Sequence, residues 1–278
     1  MMMKNCRFSV ISGRISIQMA TVWPIGVMSE ISWCDAGASA GQPEIVATLR
    51  CCGRGSLGGV SYDFAVIPVD LITSPELAAR LDVAMCEEVK QPAPRDVEEF
   101  VAELHRKYGF DNDEDHCFLS VESVPDARGT VVATSWQSVS FATTELLRMT
   151  RDFGFALYDP QRLRLYDPRD HIDIDVELGG GTQVPYLSER LLAGLFDRPD
   201  PRWPWLIVRR AEHHYIQSIF MEGRAVVIEH RRGGPDQHFS ATTSDRQLAQ
   251  RILWNWATQT PGWEECLSWQ RVEIGADT

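Results

Sequence analysis

Lysine is nearly absent from this sequence, and the basic residues, 27 in all, are outnumbered by 39 acidic ones. Lys4, Lys90 and Lys107 are the only lysines, and the formal net charge is −12 with a pI near 5.0. Broad nucleic-acid binding requires cationic side chains that neutralise phosphates, and attachment to an anionic membrane surface requires them too. The composition therefore predicts neither a nucleic-acid nor a membrane partner. It favours a basic partner or plain solubility.

Cysteine is also sparse in most of the chain, and long apolar runs are missing. Four of the seven cysteines precede residue 60, and none belongs to a C-x-x-C pair. A disulfide framework or a structural zinc site is not expected from such spacing. No stretch approaches the ~20 apolar residues that are needed to span a bilayer. We expect a cytoplasmic protein without a bound metal or cofactor.

The first 59 residues differ in texture from the rest of the chain. They show no sustained helical or strand period, whereas the apolar run from Ser61 to Pro68 predicts a strand that ends at a proline. Because a valine codon can serve as a bacterial start, Val60 is a candidate initiator. We expect residues 1–59 to be a non-native or disordered extension, with the working fold beginning at Val60.

The remaining chain predicts an α+β protein made of two small α/β-sandwich-like units. The triplet Gly179-Gly180-Gly181 is typical of a linker, and it separates a predicted N-terminal α+β domain, 60–178, from a C-terminal α+β domain, 182–278. In the second unit, apolar strands joined by tight turns predict an antiparallel meander. A capping-box spacing that begins at Ser244 predicts one helix packed on that meander.

Motifs that resemble enzyme signatures occur only within residues 1–59. Gly37-Ala38-Ser39-Ala40-Gly41 matches the G-x-S-x-G nucleophile elbow, but the run before it is a poor buried strand. The glycines at 53, 55 and 58 match a dinucleotide fingerprint, yet they lead into a strand and not into the helix that would bind a pyrophosphate. A hydrolase with Ser39 as nucleophile is kept as an alternative.

Acidic residues alternate along one predicted strand. Asp173, Asp175 and Glu177 share a face because side chains in a strand repeat with a period of two. A solvated face, a contact for a basic partner and a divalent-cation site are all compatible with this row. The histidines of the C-terminal unit lack a metal-ligand spacing. We predict no catalytic residue and no metal ligand, and a metal-dependent hydrolase stays an alternative.

One tryptophan of the last predicted helix lies off its apolar stripe. Leu248, Ile252 and Trp256 form the stripe, and Trp254 projects beside it. Tryptophan is enriched among the residues that dominate binding energy at interfaces. The predicted partner-binding residues are therefore Trp254, Asp173, Asp175 and Glu177.

Two resemblances accompany these patterns. Ser61-Tyr62-Asp63 and Tyr158-Asp159-Pro160-Gln161 resemble a group of uncharacterised actinobacterial proteins that open with Met-Ser-Tyr-Asp, over residues 60–168. Residues 205–274, with Trp256-Ala257, Pro261-Gly262-Trp263 and a strand at Trp269, are similar to small immunity-type proteins of bacterial polymorphic toxin systems. This second resemblance implies a non-catalytic cytosolic protein that neutralises a partner protein by binding it. A self-associating structural or regulatory module is the remaining alternative.

Overall fold

The computed structural model describes residues 8–11, 14–17, 61–87, 89–109, 117–221, 223 and 225–272. Ser39, the glycine motif at 53–58 and the candidate initiator Val60 lie outside these residues. The first two described segments are the strands β1 (Phe8–Ile11) and β2 (Arg14–Ile17), which pair antiparallel. This hairpin belongs to a compact unit of its own.

A four-stranded antiparallel sheet, the small sheet, has the strand order β4-β3-β5-β6. Its strands are β3 (Tyr62–Pro68), β4 (Thr130–Thr134), β5 (Phe155–Asp159) and β6 (Arg164–Tyr166). The helices that flank it are α1 (Pro75–Glu87), α2 (Arg95–Tyr108) and α3 (Val139–Phe153). Helix α3 ends at Gly154, whose φ of 70° is a left-handed conformation that suits glycine.

Helices cover both faces of the small sheet and bury its apolar side chains. Ala65, Ile67 and Tyr158 pack with Ala78 and Met85 of α1 on one face. The other face packs against α2 and α3 through side chains that include Tyr62, Phe64, Leu157, Phe100 and Leu146. The apolar spacing of α2, with the residues at 97, 100, 101 and 104 all buried, confirms its predicted buried face.

A seven-stranded antiparallel sheet, the large sheet, has the order β13-β12-β11-β10-β9-β7-β8. Its strands are β7 (Asp175–Leu178), β8 (Thr182–Val184), β9 (Trp205–Ala211), β10 (His214–Phe220), β11 (Val226–Arg232), β12 (His238–Thr243) and β13 (Gln270–Arg271). Helices α4 (Glu189–Asp197) and α5 (Arg246–Ala257) begin at side-chain caps, with Ser188 and Asp245 accepting from backbone N–H groups. The predicted α+β class and the meander β9–β12 with its packed helix are confirmed.

One hydrophobic cluster joins the two sheets. It runs from Phe64 and Phe100 through α3 to Val176, Ile216 and Trp256. The glycines at 179–181 form the turn between β7 and β8. The boundary predicted between 60–178 and 182–278 thus passes through a hairpin of the large sheet, and the described residues from 61 to 272 belong to one compact unit.

Among the described residues, none of the helices has both the length and the apolar character that crossing a bilayer requires.

Candidate interaction surface

Side chains in the central strands of the large sheet alternate between a covered and an uncovered face. The inner face carries buried aliphatic side chains that share the core with α4 and α5, among them Val176, Leu206, Val208, Ile216 and Ile228. The intervening positions of β7, β9, β10 and β11 are half-buried or exposed. None of the helices in the described ranges covers these positions, which we call the open face.

One end of the open face is apolar. Trp205, Ile219 and Val227 are cross-strand neighbours there, and Ile207 lies two positions further along β9. All four side chains are half-buried. Two more large apolar residues lie beside the start of β9 and the end of β10, where Trp203 is 52% exposed and Met221 is 51% exposed. Tryptophan and methionine are both enriched at protein interfaces.

The alternation expected of a half-wet sheet is therefore lost at this end. An antiparallel sheet with one solvated face places polar residues outward, yet β9 begins with the uninterrupted apolar run Trp205-Leu206-Ile207-Val208. Such runs are typical of strands that are covered on both faces. The sequence at this end of the sheet is typical of strands that are buried on both faces, but none of the described helices packs on the open face.

The other end of the open face is charged. A cross-strand row contains Asp175, Arg209, Tyr215, Arg231 and His238. Arg209 Nη2 lies 3.4 Å from Glu177 Oε2, and Gln217 Nε2 donates to Glu229 Oε2 at 2.6 Å. His238 Nε2 lies 3.4 Å from the same oxygen of Glu229. That pair is close enough for an ionic contact but is not aligned for a hydrogen bond, so neither ring nitrogen of His238 has a hydrogen-bond partner in the described part of the chain.

The acidic residues predicted from the sequence lie at this charged end. Asp175 and Glu177 project from β7 onto the open face, opposite Arg209 and Ile207. Asp173 precedes the strand, with a side chain that is 83% exposed and an oxygen 3.4 Å from His171 Nε2. The structure thus places Asp175 and Glu177 on the open face and Asp173 just before the strand that carries them. They lie beside arginines, so the surface there is mixed in charge and not purely acidic.

Trp254 lies elsewhere. It belongs to α5, on the inner side of the large sheet, and it is half-buried against the hydrophobic cluster. The structure therefore separates Trp254 from the acidic row by the thickness of the sheet, and the four predicted residues do not form one site.

The histidines of the described strands do not come together in a metal site. His214 and His230 lie on the inner face while His238 lies on the open face. Within the described ranges, no group of three or more histidine, cysteine, aspartate or glutamate side chains is arranged to hold a metal ion.

The sequence contained a signal for the apolar end that a search for charged motifs overlooks. Strands β9 and β11 carry adjacent apolar pairs, Ile207-Val208 and Val226-Val227, where strict alternation would leave one polar. Outward apolar positions in the sequence thus mark this end of the sheet, whereas alternating charge marks only the acidic row.

Comparisons with known proteins identify no relative of this chain. No protein-family model, curated protein or solved structure matches this chain.

Proposed function

We propose that this chain is a non-catalytic cytosolic binding protein of the immunity or inhibitor type, which neutralises a basic partner protein through its open face. The observation that carries the proposal is the apolar end of that face. Trp205, Ile207, Ile219 and Val227 form a contiguous half-buried group that no described helix covers. Apolar patches with a polar rim are typical of protein-binding surfaces.

The arrangement matches the anatomy of a standard interface. A central tryptophan with aliphatic neighbours supplies the residues that dominate binding energy, and the surrounding polar groups exclude water and fix the register. On the open face, Trp205 is that tryptophan, with Ile219 as its cross-strand neighbour, and the pairs Arg209–Glu177 and Gln217–Glu229 form the polar surround. Rigid strands hold these groups, so little conformational entropy is lost when a partner binds.

The charge of the chain favours a basic partner. The net charge is −12, and Asp173 and Asp175 are exposed beside the open face. Complementary charge accelerates the encounter of two proteins and disfavours partners of like sign. Neutralisation by steric masking requires no catalytic group, which agrees with the resemblance of residues 205–274 to immunity-type proteins.

The test is co-expression with the basic proteins that are encoded beside the gene of this chain. We expect one of them to inhibit growth when expressed alone and to lose its toxicity when this chain is present. The two proteins should then purify as an equimolar complex. Val227→Lys places a charge within the apolar end, on its β11 side, directly opposite Ile219, and we expect it to weaken the complex by ~30-fold, as loss of a hot-spot contact of ~2 kcal/mol does.

The matched control is Val83→Lys in α1. Val83 is 50% exposed and belongs to α1, which packs on the small sheet, so the same substitution there should leave affinity unchanged. Retained toxicity with the wild-type chain would contradict the proposal. So would equal effects of the two substitutions. A wild-type dimer in light scattering that Val227→Lys dissociates would favour the self-associating module.

A further inference from the structure

A cavity of about 500 Å³ lies on the inner side of the large sheet, beyond the C-terminal end of α5. Arg210, His214 and Arg232 line it from three adjacent strands, and Trp256 and Trp263 line it from the helical side. The loop from Gln259 to Glu264 closes one wall. The volume lies within the range of ~300–1,000 Å³ that is usual for small-molecule sites.

Both arginines of the cavity are held against indole rings. The guanidinium carbon of Arg210 lies 5.5 Å from the centroid of Trp256, and that of Arg232 lies 5.3 Å from the centroid of Trp263. Arg210 Nη2 also donates to the Ala257 carbonyl. These contacts fix the orientation of each guanidinium, and each one carries more N–H donors than the contacts use. The remaining donors are available for an oxyanion.

The cavity is locally positive in an acidic protein. Its two arginines face one carboxylate, Glu264, which pairs with Arg232. Arg210 pairs with no carboxylate among the described residues. Burial, and then the charges of Arg210 and Arg232, lower the pKa of His214 below its ordinary value, so the imidazole is neutral near pH ~7. Two arginines against one glutamate leave a net positive site in a chain whose net charge is −12.

We infer that this cavity binds a small organic anion, with its carboxylate or phosphate group held by Arg210 and Arg232. Arginine is suited to both groups because its planar fork of donors matches their paired oxygens. The apolar floor formed by the buried Trp256 and Trp263 accommodates the carbon skeleton of such a ligand. The anion takes the place of Glu264 as the partner of Arg232. This site faces away from the open face, and it does not depend on the proposed partner.

The test is calorimetric titration of the full chain with benzoate, inorganic phosphate and adenosine monophosphate at low salt. We expect saturable binding of at least one of them with a dissociation constant below ~1 mM. Binding of benzoate alone would identify a carboxylate site, and tighter binding of the nucleotide than of phosphate would show that the ring contributes. Arg210→Gln should weaken binding by ~tenfold, because a charge-assisted contact of ~1.5 kcal/mol is lost.

Two further variants keep the result independent of folding defects. Arg209→Gln is the matched control, since this neighbouring arginine lies on the open face and should leave binding unchanged. Glu264→Gln removes the competing carboxylate and should tighten binding several-fold, a gain that a damaged fold cannot produce. The inference is overturned if none of the three anions binds saturably up to ~10 mM. It is equally overturned if Arg209→Gln weakens binding as much as Arg210→Gln does, or if Glu264→Gln does not tighten it.

Discussion

Arg209 and Arg210 are consecutive in β9 but lie on opposite faces of the large sheet. Arg209 Nη2 is 3.4 Å from Glu177 Oε2 on the open face, whereas the Arg210 guanidinium lies over Trp256 on the inner side. The register between β9 and β10 shifts at this point, between His214 and Tyr215. Irregularities of this kind re-aim side chains at the ends of strands. Here the register shift lies beside Arg209 and Arg210, two neighbouring residues whose side chains belong to different surfaces of the sheet.

This relationship predicts that the two surfaces can be altered separately. Arg209→Gln should tighten the complex with the basic partner several-fold, since it removes a like charge from the open face and frees Glu177 from its ion pair. It should leave anion affinity unchanged. Arg210→Gln should weaken anion binding and leave affinity for the partner unchanged. Parallel calorimetry of both variants against the partner and against benzoate checks this, and a variant that changes both affinities would contradict it.

The buried pair Tyr62–Asp159 predicts a stability difference between two tyrosines. Tyr62 Oη donates to Asp159 Oδ2 at 2.7 Å, and the carboxylate is fully buried. Tyr62→Phe leaves that oxygen without its donor, so we expect the free energy of unfolding to fall by ~2 kcal/mol. Tyr108 donates at 2.5 Å to Glu145, whose side chain is 17% exposed. Water can replace the hydroxyl there, and Tyr108→Phe should cost less.

Urea unfolding of the two phenylalanine variants measures this difference, provided that the slope with denaturant is unchanged. Equal losses in the two variants would show that burial of the carboxylate does not govern the cost.

A carboxylate on the buried face of α1 predicts a pH dependence. Asp82 lies one turn after Ala78 and one turn before Met85, both buried. Burial, and then the charge of Asp63, raises the pKa of Asp82 from 3.8 to about 6. The folded state therefore binds more protons than the unfolded state between these values, and the free energy of unfolding falls as pH rises through this window.

Asp82→Asn replaces the carboxyl group, whose deprotonation destabilises the folded state, with a neutral amide that does not titrate. We expect it to raise the free energy of unfolding by about 1 kcal/mol near pH ~7.5 and to flatten its pH dependence between ~4 and ~6. Urea titrations at a series of pH values check both effects. A variant with the slope of the wild type would contradict the assignment.

The fold follows closely from local sequence patterns where those patterns are long. The stripe Leu248, Ile252 and Trp256 predicts α5. Apolar runs at 205–210, 215–221, 225–230 and 238–242 predict the meander strands, and β9 to β12 agree with these bounds to within about two residues. Short segments were predicted less well. The run Cys117 to Val121 predicts a strand, but only an isolated bridge between Leu119 and Thr134 forms. The Ser120 N–H donates to the Ala133 carbonyl there, and the Thr134 Oγ1 side-chain donation to the Phe118 carbonyl supplements that backbone bond.

The candidate site was only partly predictable, for reasons that concern packing across the chain. Trp254 lies off the stripe of α5, yet it packs against the hydrophobic cluster and is half-buried. Asp173 was expected inside a strand, yet its neighbour Ile172 bridges to Leu187 and the strand begins at Asp175. A hairpin turn and a linker have the same glycine content. Strand β8 has three residues, too few to show a period that would reveal the turn.

A buried histidine predicts the opposite pH response to that of Asp82. His230 packs among Phe239, Trp263 and Trp269, with ring centroids 5.3, 5.0 and 4.7 Å away. Burial, followed by the charges of Arg232 and His238, lowers its pKa from 6.5 to about 4. The unfolded state binds more protons between these values, so this histidine lowers the free energy of unfolding as pH falls through the window.

His230→Phe should remove that loss, which we expect to reach about 2 kcal/mol near pH ~4. Near pH ~7 the substitution should be neutral or stabilising, because His230 Nδ1 is buried without a hydrogen-bond partner in the described structure. The windows of His230 and Asp82 overlap and their slopes have opposite signs, so the wild-type profile shows only their difference. The measurement therefore compares Asp82→Asn with the double variant Asp82→Asn, His230→Phe by urea unfolding. If the aromatic surroundings keep the imidazole neutral, the single variant loses stability on acidification and the double variant does not; parallel curves would contradict this role for His230.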